Sequence, residues 1–449
     1  MNNNDSQSVQ AAKQRVLDTI EALKDQMIGT LSEVVKIPSV NPKYPGQVYD
    51  EQVGHEGEVN EIIAGLFRDA GAEVEMITRE PGRANAAGRI SGSGGGKTLV
   101  MNGHVDVVPP NRADLWDRDP FSGEIDDERV YGRGTTDDKG GVVAMTFAAL
   151  ALKQANIKLQ GDLVLQSVVG EEVGDHVAGT SAVLEEGYVG DAAIVCEPTN
   201  FGEENPNIVP VTPGMLWWTI ELEGLAAHSG LRGLTIHPTL EGESLGVNVI
   251  DKYWVIYQAL RQLEDEWAQT NRHPLFKPGY FSIQPGVMKA HPYGVEVPFF
   301  LADQAVIEYC SYHHPDRSNE EVIEEVEETI KRACGNDPWL RAHPPKLTWQ
   351  LKWAPYTAPE NFDLVDSIRA AYGDVTGQDL IAEGFLGVCD LTWMKEVGLD
   401  GVCYGPGVGR TAHAVNEYVM IEQMVVAAKT YALTAIDYCG LDEAATSSS

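Results

Sequence analysis

Residues 96–108, GKTLVMNGHVDVV, and residues 161–170, GDLVLQSVVG, carry almost unbroken apolar runs, the pattern of strands covered on both faces. Residues 140–155, GGVVAMTFAALALKQA, lie between them and read as a helix. Strand, helix, strand in that order predicts an α/β domain: a mainly parallel central sheet with helices on both faces. Working outward, Val16, Ile20, Leu23, Met27, Leu31 and Val35 recur every three or four residues, which predicts a helix over 8–36. A second helix is expected over 56–70, followed by a strand at AEVEMI, 72–77.

The pattern changes near Gly214. MLWWTIELEG (215–224) and QAVIEYCSYHH (304–314) read as strands, and SNEEVIEEVEETIKRA (318–333) as an amphipathic helix capped by Ser318. The α/β pattern returns after about 360, with DLVDSIRAAYGDV (363–375) helical and DGVCYGPG (400–407) strand-like. The expected organisation is a catalytic domain of 1–213 and 356–449, with an inserted α+β lid or dimerisation domain at 214–355. The acidic run of 319–328 reads as a solvated helix face. SGSGGGKT (91–98) imitates a phosphate-binding loop, but Ser91 stands at the first required glycine and a strand follows. A glycine-rich hairpin turn is expected there instead.

Among 449 residues, 67 Asp and Glu oppose 33 Lys and Arg, a formal charge of −34. Such a field repels phosphate backbones and argues against nucleic acid as a partner. The start, MNNNDSQSVQ, lacks the basic and apolar regions of a signal peptide, and no apolar run approaches ~18 residues, so no membrane partner is expected. Six scattered cysteines without a pairing motif suit a reducing compartment, which points to the cytoplasm.

Five segments place ligand-type side chains at or after the ends of strands. In GHVDVVPP, His104 and Asp106 are two apart and share a strand face, so one can bind metal while the other orients it. In YGRGTTDDKGG, glycines crowd Asp137 and Asp138 ahead of a helix. VVGEEVG puts Glu171 and Glu172 after a buried strand, a pairing that allows one to ligate while the other moves protons. AIVCEPT ends a strand at Glu197, and GPGVGRTAHAVNE sets His413 in a loop. Each segment alone has an ordinary structural explanation; their joint order points to a metal site.

Together, GHVDVVP, GRGTTDDKGG, GEEVG, CEPT and GPG…AH…E resemble the successive motifs of one di-metal metallopeptidase and deacylase family. It contains acetylornithine deacetylase, succinyl-diaminopimelate desuccinylase, aminoacylase and glutamate carboxypeptidase. The resemblance covers nearly the whole chain and implies a zinc-peptidase-like fold and two divalent cations. It implies that His104, Asp137 and Glu197 hold one ion and Asp137, Glu172 and His413 the other. Asp106 would support His104, and Asp138 stands where the family often has Met. Glu171 would be the general base, taking a proton from a metal-bridging water and delivering it to the leaving nitrogen. Zn²⁺, Mn²⁺ or Co²⁺ all suit such ligands. ELEGLAAHSG resembles the lid segment whose histidine reaches the neighbouring subunit's site, which would make His228 an oxyanion donor in trans and the protein at least a homodimer.

The chain departs from that pattern where the substrate is held. A lid Asn-x-x-Pro reads Val295 before Pro298, and an arginine expected three residues before a second proline is Tyr312, before Pro315. The arginine often found two residues after the aspartate matching Asp390 is Thr392. Such arginines grip a substrate carboxylate in pairs of hydrogen bonds. Arg232, Arg317 or Arg410 could substitute, and Tyr312, Asp390 and Arg410 are the candidate substrate contacts. The insert is rich in rings (Trp217, Trp218, Tyr253, Trp254, Tyr257, Tyr293, Tyr312), and its TIHPTLEGESLGVN segment, 235–248, is longer than the family's.

The expected activity is hydrolysis of a C–N bond in a small molecule, the amide of an N-acyl amino acid or dipeptide-like compound. An alternative keeps the metals but displaces ammonia from an aromatic amine, as in 5-nitroanthranilate aminohydrolase. A catalytically inactive binding protein of the same fold would show erosion of the ligand set, and that set is intact here.

Overall fold

The computed structural model describes residues 3–200, 202, 204, 206–235 and 245–446. In chain order its first strands are β1 (Glu73–Glu80), β2 (Arg83–Ile90), β3 (Leu99–His104), β4 (Arg129–Tyr131), β5 (Leu163–Val168), β6 (Ala192–Val195) and β7 (Ile208–Thr212). There follow β8 (Gly214–Glu223), β9 (Ser282–His291), β10 (Gln304–His313) and β11 (Lys346–Trp353). The last are β12 (Tyr356–Thr357), β13 (Ala382–Gly384), β14 (Gly401–Cys403) and β15 (Tyr418–Met420). The chain divides into two compact units.

The first unit comprises Met1–Val211, Thr357–Phe385 and Cys389–Ser449. Its sheet runs β1-β2-β5-β3-β6-β14-β7-β12, with β13 beside β7. The centre is parallel, β5 with β3, β3 with β6 and β6 with β14, as the buried apolar runs require. β1 and β2 extend one edge antiparallel.

Successive residues of β2 face opposite sides: Ala86 joins the large core and Ala87 a smaller one. The large core takes in Val16, Ile63, Phe147, Ile368 and Tyr431, one from each of the helices Asn3–Val35, His55–Asp69, Lys139–Gln154, Asp363–Thr376 and Ile421–Cys439. The smaller core packs Ala182 and Val183 of the Thr180–Glu185 helix against Ile77 and Val168. Helices therefore cover both faces. Every residue from Lys139 to Leu152 is buried, which explains a helix apolar on nearly all sides.

One expectation is corrected. Residues 91–98 form no hairpin, because β5 lies between β2 and β3 in the sheet. The glycines serve close approach instead: a Cβ on Gly96 would meet the Cys439 carbonyl oxygen at 1.9 Å, and one on Gly161 the Lys97 carbonyl oxygen at 1.8 Å.

The second unit comprises Thr212–Tyr356 and Leu386–Val388. Its antiparallel sheet runs β11-β8-β10-β9. Trp218 and Tyr309 pair across β8 and β10 and stack at 4.5 Å, while Trp349 stacks on Trp218 at 5.0 Å. The Val249–Thr270 helix buries Tyr253, Ile256, Leu260 and Trp267, and the Tyr253 and Tyr309 hydroxyls share a 2.7 Å hydrogen bond. Several of the insert's rings are thus core. Ser318 caps the Asn319–Gly335 helix reciprocally: its hydroxyl accepts from Glu321 N at 3.2 Å, and Glu321 accepts from Ser318 N at 2.8 Å. Most of the long lid segment, 236–244, lies outside the described residues. Among the described residues no helix is long and apolar enough to cross a membrane.

Candidate active site

The parallel strands deliver their carboxyl ends to one edge of the sheet, where α/β folds hold ligands. His104 is the last residue of β3; Glu171 and Glu172 open a single 3-10 turn after β5; Glu197 follows β6. Asp137 lies just before the Lys139–Gln154 helix. His413, at φ +60°, sits between the 3-10 turn Gly409–Thr411 and β15.

These side chains form two groups that could each hold a metal ion, His104, Asp137 and Glu197, and Asp137, Glu172 and His413. His104 Nε2 lies 3.1 Å from Asp137 Oδ1 and 3.4 Å from Glu197 Oε1. His413 Nε2 lies 3.3 Å from Asp137 Oδ2 and 3.0 Å from Glu172 Oε2. Asp137 thus turns one oxygen toward each group. Two ligand atoms ~2.0–2.1 Å from a tetrahedral ion stand roughly 3.3 Å apart, so the spacing fits a cation between them.

The surroundings of His104 are compatible with that fit. Its Nδ1 lies 2.9 Å from the Asp106 carbonyl oxygen, which only a ring N–H can satisfy. Its Nε2 faces the Asp137 and Glu197 carboxylates, and despite burial the surrounding carboxylates lift the imidazole well above its usual range, so positive charge is favoured at this position, from a proton or from a metal ion. Charges inside the cluster reflect the same need. Burial, with the Glu197, Asp390 and Glu172 carboxylates adding to it, pushes Glu171 well above the usual range, and burial together with Asp137 pushes Glu197 to about 7. The Glu172 carboxylate lifts His413 to about 12. Burial and Glu197 also raise Asp138, whose carboxylate is fully buried behind the His104 backbone.

Asp106 was expected to support His104. Its carboxylate is 3.5 Å from Nδ1, farther than its own carbonyl. It also gathers the neighbouring loops: Oδ1 accepts from Glu171 N at 3.2 Å, and Oδ2 accepts from Glu172 N at 3.1 Å and Asn41 Nδ2 at 2.8 Å. This fully buried carboxylate therefore fixes the backbone of both glutamates, while the chain of Asp106 orients the imidazole through its carbonyl.

Sequence reading missed the supports of these loops. Arg83 and Glu56 are both completely buried and paired through two hydrogen bonds, at 2.7 and 2.9 Å, and Arg83 also binds Asp175 just beyond the glutamate turn. Lys139 donates to the Val34 and Ile37 carbonyls, each at 2.9 Å, and burial lowers its pKa to about 7. Arg133 and Glu417 pair beside Asp137. No local periodicity marks such partners; only their polar identity inside apolar surroundings hints at them. Replacing Arg83 by Met strands the Glu56 carboxylate in the interior, and is expected to cost about 3–5 kcal/mol of unfolding free energy in urea titration. A change under about 1 kcal/mol would show that Glu56 finds another partner.

Each remaining candidate is placed within its own unit. Asp390 is 2 % exposed, accepts from Thr180 Oγ1 at 2.5 Å, and its charge acts on Glu171. Arg410 is exposed on the turn preceding His413. Tyr312 belongs to the second unit, its ring 6.0 Å from Tyr280. His228, also in that unit, is exposed and accepts from Gly230 N at 3.0 Å. Arg232 is held by Asp251, and Arg317 by Glu325 at 2.7 Å, so neither guanidinium is idle.

Residues 100–437 match the model of peptidase family M20/M25/M40. The chain is 29% identical over 442 residues to N-formyl-4-amino-5-aminomethyl-2-methylpyrimidine deformylase of Halalkalibacterium halodurans, covering 96% of this chain and 98% of that one. The Bacillus subtilis protein of the same name is 31% identical over 389 residues, covering 84% and 88%. In fold, the chain is similar to the di-peptidase Dug1p from Saccharomyces cerevisiae, with a TM-score of 0.71, 19% identity and coverage of 95% and 98%. The chain belongs to peptidase family M20/M25/M40 and is a hydrolase of amide-type carbon–nitrogen bonds.

Proposed function

We propose that this protein is a two-metal amidohydrolase that removes a small acyl group, formyl foremost, from the amine of a heteroaromatic compound. The observation that carries the reading is Asp137, whose two carboxylate oxygens face His104 and His413 separately. His104, Asp137 and Glu197 would hold one divalent ion, and Asp137, Glu172 and His413 the other. Divalent ions held there would supply polarisation of an amide carbonyl and a water acidic enough to lose a proton near neutral pH.

The chain's own side chains do the rest. Glu171, its backbone held by Asp106, takes the proton of the attacking water and passes it to the departing nitrogen. The nitrogen leaves as a neutral amine and the acyl group as a carboxylic acid, whose remaining proton passes to solvent. The substrate class rests on two supports: the deformylase name of both relatives, and the replacement of the paired arginines at the matched positions. Tyr312 and Thr392 stand where paired arginines would be, and Arg232 and Arg317 are engaged by Asp251 and Glu325. A substrate with a flat ring and no carboxylate suits these positions better than an N-acyl amino acid.

The test is a screen of metal-loaded enzyme against N-formyl and N-acetyl aminomethylpyrimidines, N-succinyl and N-acetyl amino acids, dipeptides and aromatic amines. Formate release from the pyrimidine amide is expected. Ammonia release from an aromatic amine without acid release would instead favour hydrolytic deamination, and faster turnover of acylamino acids would overturn the heteroaromatic assignment.

The second unit would act as a lid and homodimer interface, with His228 completing the partner's site as an oxyanion donor. Support comes from its edge strand β9 and from exposed apolar side chains, Met288, Tyr293, Phe299 and Phe300 among them. Mixing His228→Ala subunits with Glu171→Gln subunits is then expected to restore activity, because one site of each hybrid dimer gets both native residues. Two inactive parents that stay inactive after verified subunit exchange would rule out the trans arrangement.

A further inference from the structure

We infer that Glu417 is a positioning residue: its buried carboxylate clamps the loop bearing Asp137 to the loop bearing His413 and thereby sets the geometry of the group Asp137, Glu172 and His413. The inference rests on the reading of that group as a metal site. Glu417 is 0 % exposed, yet three backbone N–H groups converge on its Oε1: Gly134 at 3.0 Å, Thr136 at 2.9 Å and Asp137 at 3.2 Å. Its Oε2 binds the Arg133 guanidinium, which also donates to the Ala414 carbonyl at 3.2 Å. The Gly132 N–H meets the Glu417 carbonyl at 3.0 Å, and the Thr136 hydroxyl the Tyr418 carbonyl at 2.7 Å. Beyond them β4 and β15 pair antiparallel, Tyr131 with Tyr418. Segments nearly 300 residues apart are thus one hydrogen-bonded body.

The need for such a clamp is local. The His413 side chain is 54% exposed, so packing does little to hold it, and its backbone is in the left-handed region. Asp137 must aim two oxygens in two directions at once, and a small rotation of its backbone would spoil both. Three donors on one oxygen fix that rotation. Burying a charged pair costs desolvation that an apolar filling would avoid, so stability alone is a poor reason for a carboxylate here.

The test uses chelator-stripped, full-length protein titrated with Co²⁺. Wild type is expected to take two equivalents. In the double variant E417L/R133M no acceptor remains, and affinity for one equivalent is expected to fall by about 10–100-fold. In E417Q/R133M an amide oxygen still receives the three N–H groups, and most of that loss is recovered. Equal affinities for both equivalents in E417L/R133M and wild type would overturn the inference, as would equal loss in both variants. Amide exchange on metal-free wild type gives a measure independent of variant folding. Gly134, Thr136 and Asp137 are expected to exchange as slowly as the Lys139–Gln154 helix, and rapid exchange would refute the clamp. If wild type binds fewer than two equivalents while these amides stay protected, the metal reading fails and the clamp stands.

Discussion

Glu171→Gln is expected to lower kcat by about 10²–10⁴-fold while both metal equivalents stay bound. The substitution keeps the shape of the side chain and the backbone N–H that Asp106 receives at 3.2 Å, and removes only the capacity to accept a proton. Glu171 suits the base role by position: it is 9% exposed, and its carboxylate is 3.9 Å from His104 Nε2, farther than Asp137 and Glu197. It therefore borders the first group without belonging to it. Its neighbour Glu172, by contrast, lies 3.0 Å from His413 and points into the second group. Turnover and metal content must be read together. Loss of an ion in Glu171→Gln would make Glu171 a ligand, and near-normal turnover would move the base to another residue.

Glu171 and Glu172 also show how far the sequence could be read. Buried parallel strands announce themselves by apolar runs, and chemistry sits in the first turns after them. The positions of His104, Glu171, Glu172 and Glu197 were legible for that reason. Sheet order was less so: the glycines of 91–98 looked like a hairpin because adjacent strands in sequence need not be adjacent in space. The work of Asp106 was half legible. Its spacing placed it beside His104, but a two-residue interval cannot reveal that the carboxylate also receives the backbone of the glutamate turn.

Arg83, Lys139 and Glu417 were not legible as supports at all. Each is a charged residue inside the protein, and its partner is distant in sequence or is a backbone group of another element. What links them is a division of labour. Apolar packing places the strands and helices, but loops at the sheet edge have little packing, so buried charged groups hold them by directional bonds. The clustered side chains at the sheet edge are thus held in register by buried charged residues outside the two groups.

Asp137→Ala should have the largest effect of any single change, because among the described residues it alone is shared by both groups. Removing Glu197 or His413 leaves one group with its remaining members; removing Asp137 takes the shared oxygens at 3.1 and 3.3 Å from the two imidazoles. Metal content is expected to fall from two equivalents toward none, and turnover toward the uncatalysed rate, a loss of about 10⁶-fold or more given the usual span of enzymatic acceleration. The fold should survive, because the carboxylate lies at the loop edge of the core and its loss also relieves repulsion with Glu172 and Glu197. Thermal unfolding separates these effects. Saturating metal stabilises a protein that binds it by about 2.7 kcal/mol at a hundredfold excess over Kd, so the melting temperature of wild type should rise on metal addition while that of Asp137→Ala stays put. A variant that still holds two ions and melts higher with them would show that the groups are independent, and the shared aspartate would lose its place in the mechanism.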